Sequence, residues 1–167
     1  MNRINHFTSD GRDARIILGW RDNGNAHGYD LFLVLVPTKR GWSDWNVVGF
    51  EDGQDFSDEV TDEPHADEDV VRAVRFVRAG PKQRPMVAIA KREWKETYYD
   101  RAETTISIYE LRQNQGTFGT TRDYFTVTHR WKAKKRYCHA DLALRDELGL
   151  PLPSYYGGPN KIDGCTQ

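Results

Sequence analysis

The 167-residue chain has only two cysteines, Cys138 and Cys165. Two thiols so placed do not make a disulfide framework, and a reducing, cytoplasmic setting is the simplest reading of that scarcity. No apolar run approaches the ~20 residues needed to span a bilayer. The opening Met1-Asn2-Arg3-Ile4-Asn5-His6 has no apolar stretch of the secretory kind. The motifs that announce an enzyme are also missing: there is no glycine-rich phosphate loop, H-E-x-x-H, C-x-x-C or G-x-S-x-G. These absences remove the enzyme families that a sequence identifies most directly. No internal repeat or low-complexity tract is present, which excludes solenoids and arrays.

What is present suits one globular domain. A chain of this length buries roughly 70% of the surface its unfolded form exposes, so it needs no covalent staple. Aromatic residues make up 12% of the chain, far too many large apolar side chains for a disordered one. A single α+β domain is expected over residues 1–150, followed by a polar, Pro- and Gly-rich tail over 151–167.

The net charge of −1 conceals a division. Ten of the 25 acidic residues lie between Glu51 and Asp69, a stretch with no Lys or Arg; the rest of the chain holds 15 acidic residues against 24 basic ones. Such sorting is the most informative feature of the sequence.

Local patterns give the element order. Ala14 to Trp20 reads as a strand, and Asp22-Asn23-Gly24-Asn25 as a turn. Tyr29 to Val36 is a nearly unbroken apolar run ended by Pro37, as in a central strand covered on both faces. Trp45 to Phe50 reads as a third strand. Across Val70 to Ala79, Val70, Val74 and Val77 recur at helical spacing with Arg72 and Arg75 pointing away, which predicts a helix stopped by Gly80-Pro81. Met86 to Ala90, Thr104 to Leu111 and Asp123 to Trp131 read as strands. In the last, Phe125, Val127, His129 and Trp131 are expected on one apolar face. Tyr137, Ala140, Leu144 and Leu148 form a second helical stripe, closed by Gly149 and Pro151. The expected fold is therefore α+β, a mostly antiparallel sheet of about six strands with two helices; a β-sandwich with an inserted helix is the alternative.

Three constellations carry candidate chemistry. Arg130, Trp131, Lys132, Lys134, Lys135, Arg136 and Tyr137 interleave positive charge with aromatic rings, as nucleic-acid binding requires: cations displace phosphate counterions and rings stack on bases. A second basic group runs from Arg72 to Lys95 and includes Arg75, Arg78, Lys82, Arg84, Lys91 and Arg92. In the acidic stretch, Asp55, Asp58, Glu59, Asp62 and Glu63 have the spaced carboxylates of a phosphate-backbone mimic, which would seat in the basic groove of a nucleic-acid-handling protein. Lastly, Glu93-Trp94-Lys95 is an E-x-K triplet after an apolar strand. With Asp69 upstream, it is the arrangement of a metal-dependent nuclease, where acids hold Mg²⁺ and the lysine steadies the attacking water or phosphate.

The remaining candidates are weaker. His129 is expected as a core histidine. Cys138, His139 and Asp141 fall short of the four ligands of a zinc site. His6-Phe7-Thr8 has the H-x-T form of two-histidine phosphoesterases, but that chemistry needs two such motifs. Gly19-Trp20 followed by Tyr29-Asp30-Leu31 resembles the start of the tellurite-resistance calcium-binding β-sandwich family over about a dozen residues, without the paired aspartates that family uses for calcium.

The leading expectation is a non-enzymatic, membrane-independent binding module whose partner is nucleic acid or a nucleic-acid-binding protein. It has no cofactor beyond a possible divalent cation. A metal-dependent nuclease or phosphodiesterase, and an inhibitor acting through the acidic segment, are the alternatives.

Overall fold

The computed structural model describes residues 2–24, 28–39, 43–64, 70–79, 83–93, 100–114 and 121–153. The chain is mostly sheet, with one short helix. In the first sheet β1 (Asn2–Ile4), β2 (Ala14–Arg21), β3 (Tyr29–Pro37) and β4 (Trp45–Val47) lie in that order, and β7 (Val60–Thr61) also pairs with β3. The second sheet runs β6 (Asp55–Ser57), β5 (Gly49–Asp52), β12 (Asp123–Lys132), β11 (Thr104–Gln113), β10 (Arg84–Arg92), β9 (Val70–Ala79) and β8 (Glu63–Pro64). All its pairings are antiparallel except β5 with β12.

Two apolar clusters hold these layers. Ile16, Val34, Val36 and Val60 of the first sheet meet Phe50, Val74, Val87, Ile89, Tyr109 and Phe125 of the second in one core. The opposite face of the second sheet packs on α1 (Ala140–Leu148) through Ala73, Ala88, Ala90, Ile106 and Ile108, which meet Ala140, Ala143 and Leu144. Three alanines in a row of neighbouring strands remove side-chain bulk, so the helix can lie close. His139 caps that helix by accepting the Asp141 N–H at Nδ1, and Gly149 ends it in the left-handed conformation with φ 69°.

Four expectations change. Residues Val70–Ala79 form strand β9, not a helix, so there is one helix rather than two. β9 is covered on both faces: Val74 faces the inter-sheet core while Val71 and Ala73 are also buried. A strand buried on both sides loses its period of two, and the four valines then mimic helical spacing.

The expected strand from Trp45 to Phe50 is divided between the two sheets. The chain leaves the first sheet at Val48 and enters the second at Gly49, where a Cβ would come within 2.1 Å of the Phe56 ring.

In β12 the register skips Thr128: Val127 pairs with Tyr109, but His129 pairs with Ile108. This β-bulge breaks the alternation, so Phe125 and Val127 join the inter-sheet core while Trp131 packs on the helix side and His129 is exposed.

Finally, Cys138 is buried and disulfide-bonded. The other cysteine, Cys165, lies outside the described residues.

Candidate functional site

The inner face of the second sheet changes character along its strands. Cross-strand register stacks Phe76, Val87, Tyr109 and Val127 in one row, all within or against the inter-sheet core. The next row is Val74, Ile89, Ser107 and Arg130. The row after that is Arg72, Lys91, Thr105 and Lys132. Apolar residues thus give way to hydroxyls and cations within two steps, where the first sheet's apolar side chains no longer cover the face. The result is a cleft of about 410 Å³ lined by Asp52, Arg72, Ile89, Lys91, Glu93, Thr105, Ser107, Tyr109 and Arg130.

The side of the cleft nearest β5 is already saturated. Asp52 accepts from Arg130 Nη2 at 2.6 Å and from the Tyr109 hydroxyl at 2.9 Å. Arg130 Nε donates to Ser107 Oγ at 3.0 Å. Burial pushes the Asp52 carboxyl up, but the Arg130 and Tyr109 bonds outweigh it and hold the group below its ordinary range. Tyr109 moves the other way, raised by burial and by the carboxylate it faces. The bulge at Thr128 positions this network, because if Thr128 instead paired regularly with Ile108, Arg130 would point to the helix side.

The side formed by β9 and β10 is different. Arg72 and Lys91 are directly opposite one another in the register, about 5 Å apart at Cα. Among the described residues neither makes a hydrogen bond or ion pair, but Glu63 lies opposite Arg72 on the other neighbouring strand, and the Arg72 charge helps to lower the Asp52 carboxyl. Like charges placed opposite on adjacent strands destabilise a sheet, and here two of them line one concave surface. The adjoining Arg92 shows the contrast: it is buried on the opposite face, with Nε donating to the Tyr137 carbonyl at 3.0 Å and Nη2 to the Asp100 carbonyl at 2.7 Å.

Of the expected site residues, Arg130 and Glu93 enter this cleft, Glu93 as an exposed group. Lys95 and Asp69 lie outside the described residues. Lys132 borders the cleft by register but donates to Glu103 at 2.7 Å. Lys134, Lys135 and Arg136 are exposed on the way to α1, with Lys135 3.9 Å from Asp146.

The two rings of the basic segment are not stacking platforms. Trp131 packs against the helix-side core, and Tyr137 is 5% exposed within it. The expected acidic face is divided as well. Asp55, Asp58 and Glu59 are exposed on and beside β6. Asp62 is partly buried and accepts the Asp30 N–H at 2.8 Å; the Glu63 side chain is outside the described residues. Folding therefore mixes charges that the sequence sorts: Asp52 from the acidic stretch pairs with Arg130 from the basic one, and Arg75 pairs with Asp141.

Sequence reasoning missed Thr105, Ser107 and Tyr109 as site residues. Their signal is present, since polar groups alternate with Ile106 and Ile108 along one short strand. Among the described residues no cluster of three or more His, Cys, Asp or Glu side chains is arranged to hold a metal ion, and no helix is long and apolar enough to cross a membrane.

No protein-family model and no curated protein matches the sequence. Among solved structures the chain is similar to the crystal structure of CarG, with 16% identity and a TM-score of 0.71 over 87% of this chain and 88% of that one. At that identity the likeness is one of fold.

Proposed function

We propose that this protein is a non-enzymatic binding module that receives an anion-bearing partner, with nucleic acid as the expected class, at the open end of its second sheet. The observation that carries the reading is the pair Arg72 and Lys91, two cations opposed across neighbouring strands inside a concave polar cleft. Phosphate oxygens would supply counter-charge to the pair and relieve the repulsion. The exposed Lys132, Lys134, Lys135 and Arg136 add only long-range attraction, because no accessible ring accompanies them among the described residues.

The test is binding of a labelled single-stranded oligonucleotide across a salt series. A single strand loses about 0.7 in log–log slope per neutralised cation, so the Arg72 and Lys91 pair contributes about 1.4. Replacing both by Ala should remove that part of the slope, while Lys134→Ala with Lys135→Ala should leave it. Binding that ignores salt, or that survives the double substitution unchanged, refutes the proposal.

A metal-dependent phosphodiesterase is the second reading, favoured by Glu93 lying in the same cleft. It requires Mg²⁺-dependent cleavage that Glu93→Gln abolishes.

The disulfide at Cys138 supports residence in an oxidising compartment over the cytoplasmic one expected from cysteine scarcity. Thiol labelling under denaturing, non-reducing conditions of protein taken directly from its native compartment tests this: a Cys138 that stays unlabelled until a reductant is added supports it, and one labelled without reductant overturns it.

A further inference from the structure

We infer that the cleft is built for a terminal phosphate, a phosphate monoester, in preference to the internal diester of a nucleic-acid chain. This rests on the anion-binding reading above and narrows it to one chemical group. The first argument is a count of donors. Ser107 Oγ accepts from Arg130 Nε, which leaves its own O–H to donate outward. Thr105 sits beside Lys91 in the register and lines the same cleft. Arg72, Lys91, Ser107 and Thr105 thus present donors toward one space. The Tyr109 proton is committed to Asp52, whose charge is met by Arg130. A group that only accepts, on several oxygens at once, fits such a set.

The second argument is charge. A monoester has a second pKa near 6 and carries close to two negative charges at neutral pH, whereas a diester carries one. Two cations side by side, neither in a hydrogen bond or ion pair among the described residues, match the former, although Asp52 lies within reach of the Arg72 charge and Glu63 lies opposite Arg72 in the register.

The third argument is shape. Ile89 and Ser107 are neighbours in the middle of the cleft lining, and the Arg130–Asp52 pair and Tyr109 occupy its β5 side. A terminal group enters end-on, while an internal phosphate must carry chain out on both sides. Glu93 lines the same cleft as an exposed opposing charge, and its removal should strengthen binding.

The test compares a short single-stranded oligothymidylate with and without a 5′-phosphate, with thymidine monophosphate, thymidine and inorganic phosphate as competitors. The second charge against two partly exposed cations should tighten binding on the order of tenfold. Arg72→Ala and Lys91→Ala should erase that preference, Ser107→Ala should reduce it, and Glu93→Gln should enhance it. Competition by thymidine monophosphate but not thymidine identifies a small phosphate ester as sufficient; competition by inorganic phosphate as well shows that the phosphate group alone is read. If both oligomers bind equally and Arg72→Ala weakens both, the terminal-phosphate inference is wrong while the anion-binding reading stands. If no probe binds the correctly folded protein, both are wrong.

Discussion

The two ends of the second sheet handle arginine in opposite ways. At the end covered by the first sheet, Arg12 is 1% exposed and engages Asp123 through Nη2 at 2.9 and 2.8 Å, Asp10 through Nε at 2.9 Å, and the Pro37 carbonyl through Nη1 at 2.9 Å. Asp123 is equally buried and also accepts from Gln113 at 3.0 Å. At the open end Arg72 lies opposite Lys91 on one neighbouring strand and opposite Glu63 on the other, and among the described residues it makes no ion pair. A buried guanidinium with its donors met belongs to the fold, since burial without partners is prohibitive. A guanidinium left beside a like charge in a polar hollow costs stability, and that cost is the ground on which a ligand is proposed there.

That contrast can be broken by substitution, beginning with the largest effect. Asp123→Ala strands a buried charge and should destabilise the fold by about 3–5 kcal/mol in denaturant titration. Arg72→Ala with Lys91→Ala should leave stability unchanged or raise it by up to about 0.5 kcal/mol, by removing the repulsion. Comparable losses at both ends would erase the distinction.

Next is Asp62, which burial, and to a lesser degree neighbouring Asp30 and Asp141, raise to about 6 against the pull of Arg75. Its folded-state value lies above the ordinary one, so its protonation favours the fold. That contribution is full at acid pH and is lost as pH rises through about 6. The melting temperature should therefore fall between pH 5 and 7, and Asp62→Asn should remove the fall. With allowance for solvent screening of a partly exposed group, the gain at neutral pH is about 1–2 kcal/mol.

A smaller effect is expected from Tyr109→Phe, which deletes one donor to Asp52. The loss should be about 1 kcal/mol, with the Asp52 carboxyl rising toward its ordinary range in a titration followed by NMR. Least of all, Lys132→Ala removes an exposed pair with Glu103 and should not move the melting temperature measurably.

Much of the framework was legible in the sequence. The long strands around Ile16, Val34, Ile89, Ile108 and Phe125 announce themselves through β-branched and aromatic runs, and the helix over Ala140–Leu148 through its stripe and Gly149. What was not legible depends on which faces become covered. β9 loses its alternation because the helix lies on one side and the first sheet on the other. That Cys138 is disulfide-bonded could not be read from two isolated cysteines. The Arg12 hub joins residues 111 positions apart, and no local pattern marks it. Half of the cleft was within reach: Arg72, Lys91, Glu93 and Arg130 stood out by charge, but only the strand register brings them to one surface with Ser107 and Tyr109.

Thr128 gives this surface an unusual dependence on register. Were that residue to pair with Ile108 in a regular ladder, every chemical group would be kept while the strand's later half turned over, so that His129 in place of Arg130 would look toward Asp52. A slip of one position would thus exchange a permanent cation for a titratable imidazole, converting the hollow's response to acidity, whereas excising Thr128 would only straighten the strand and leave Arg130 where it is.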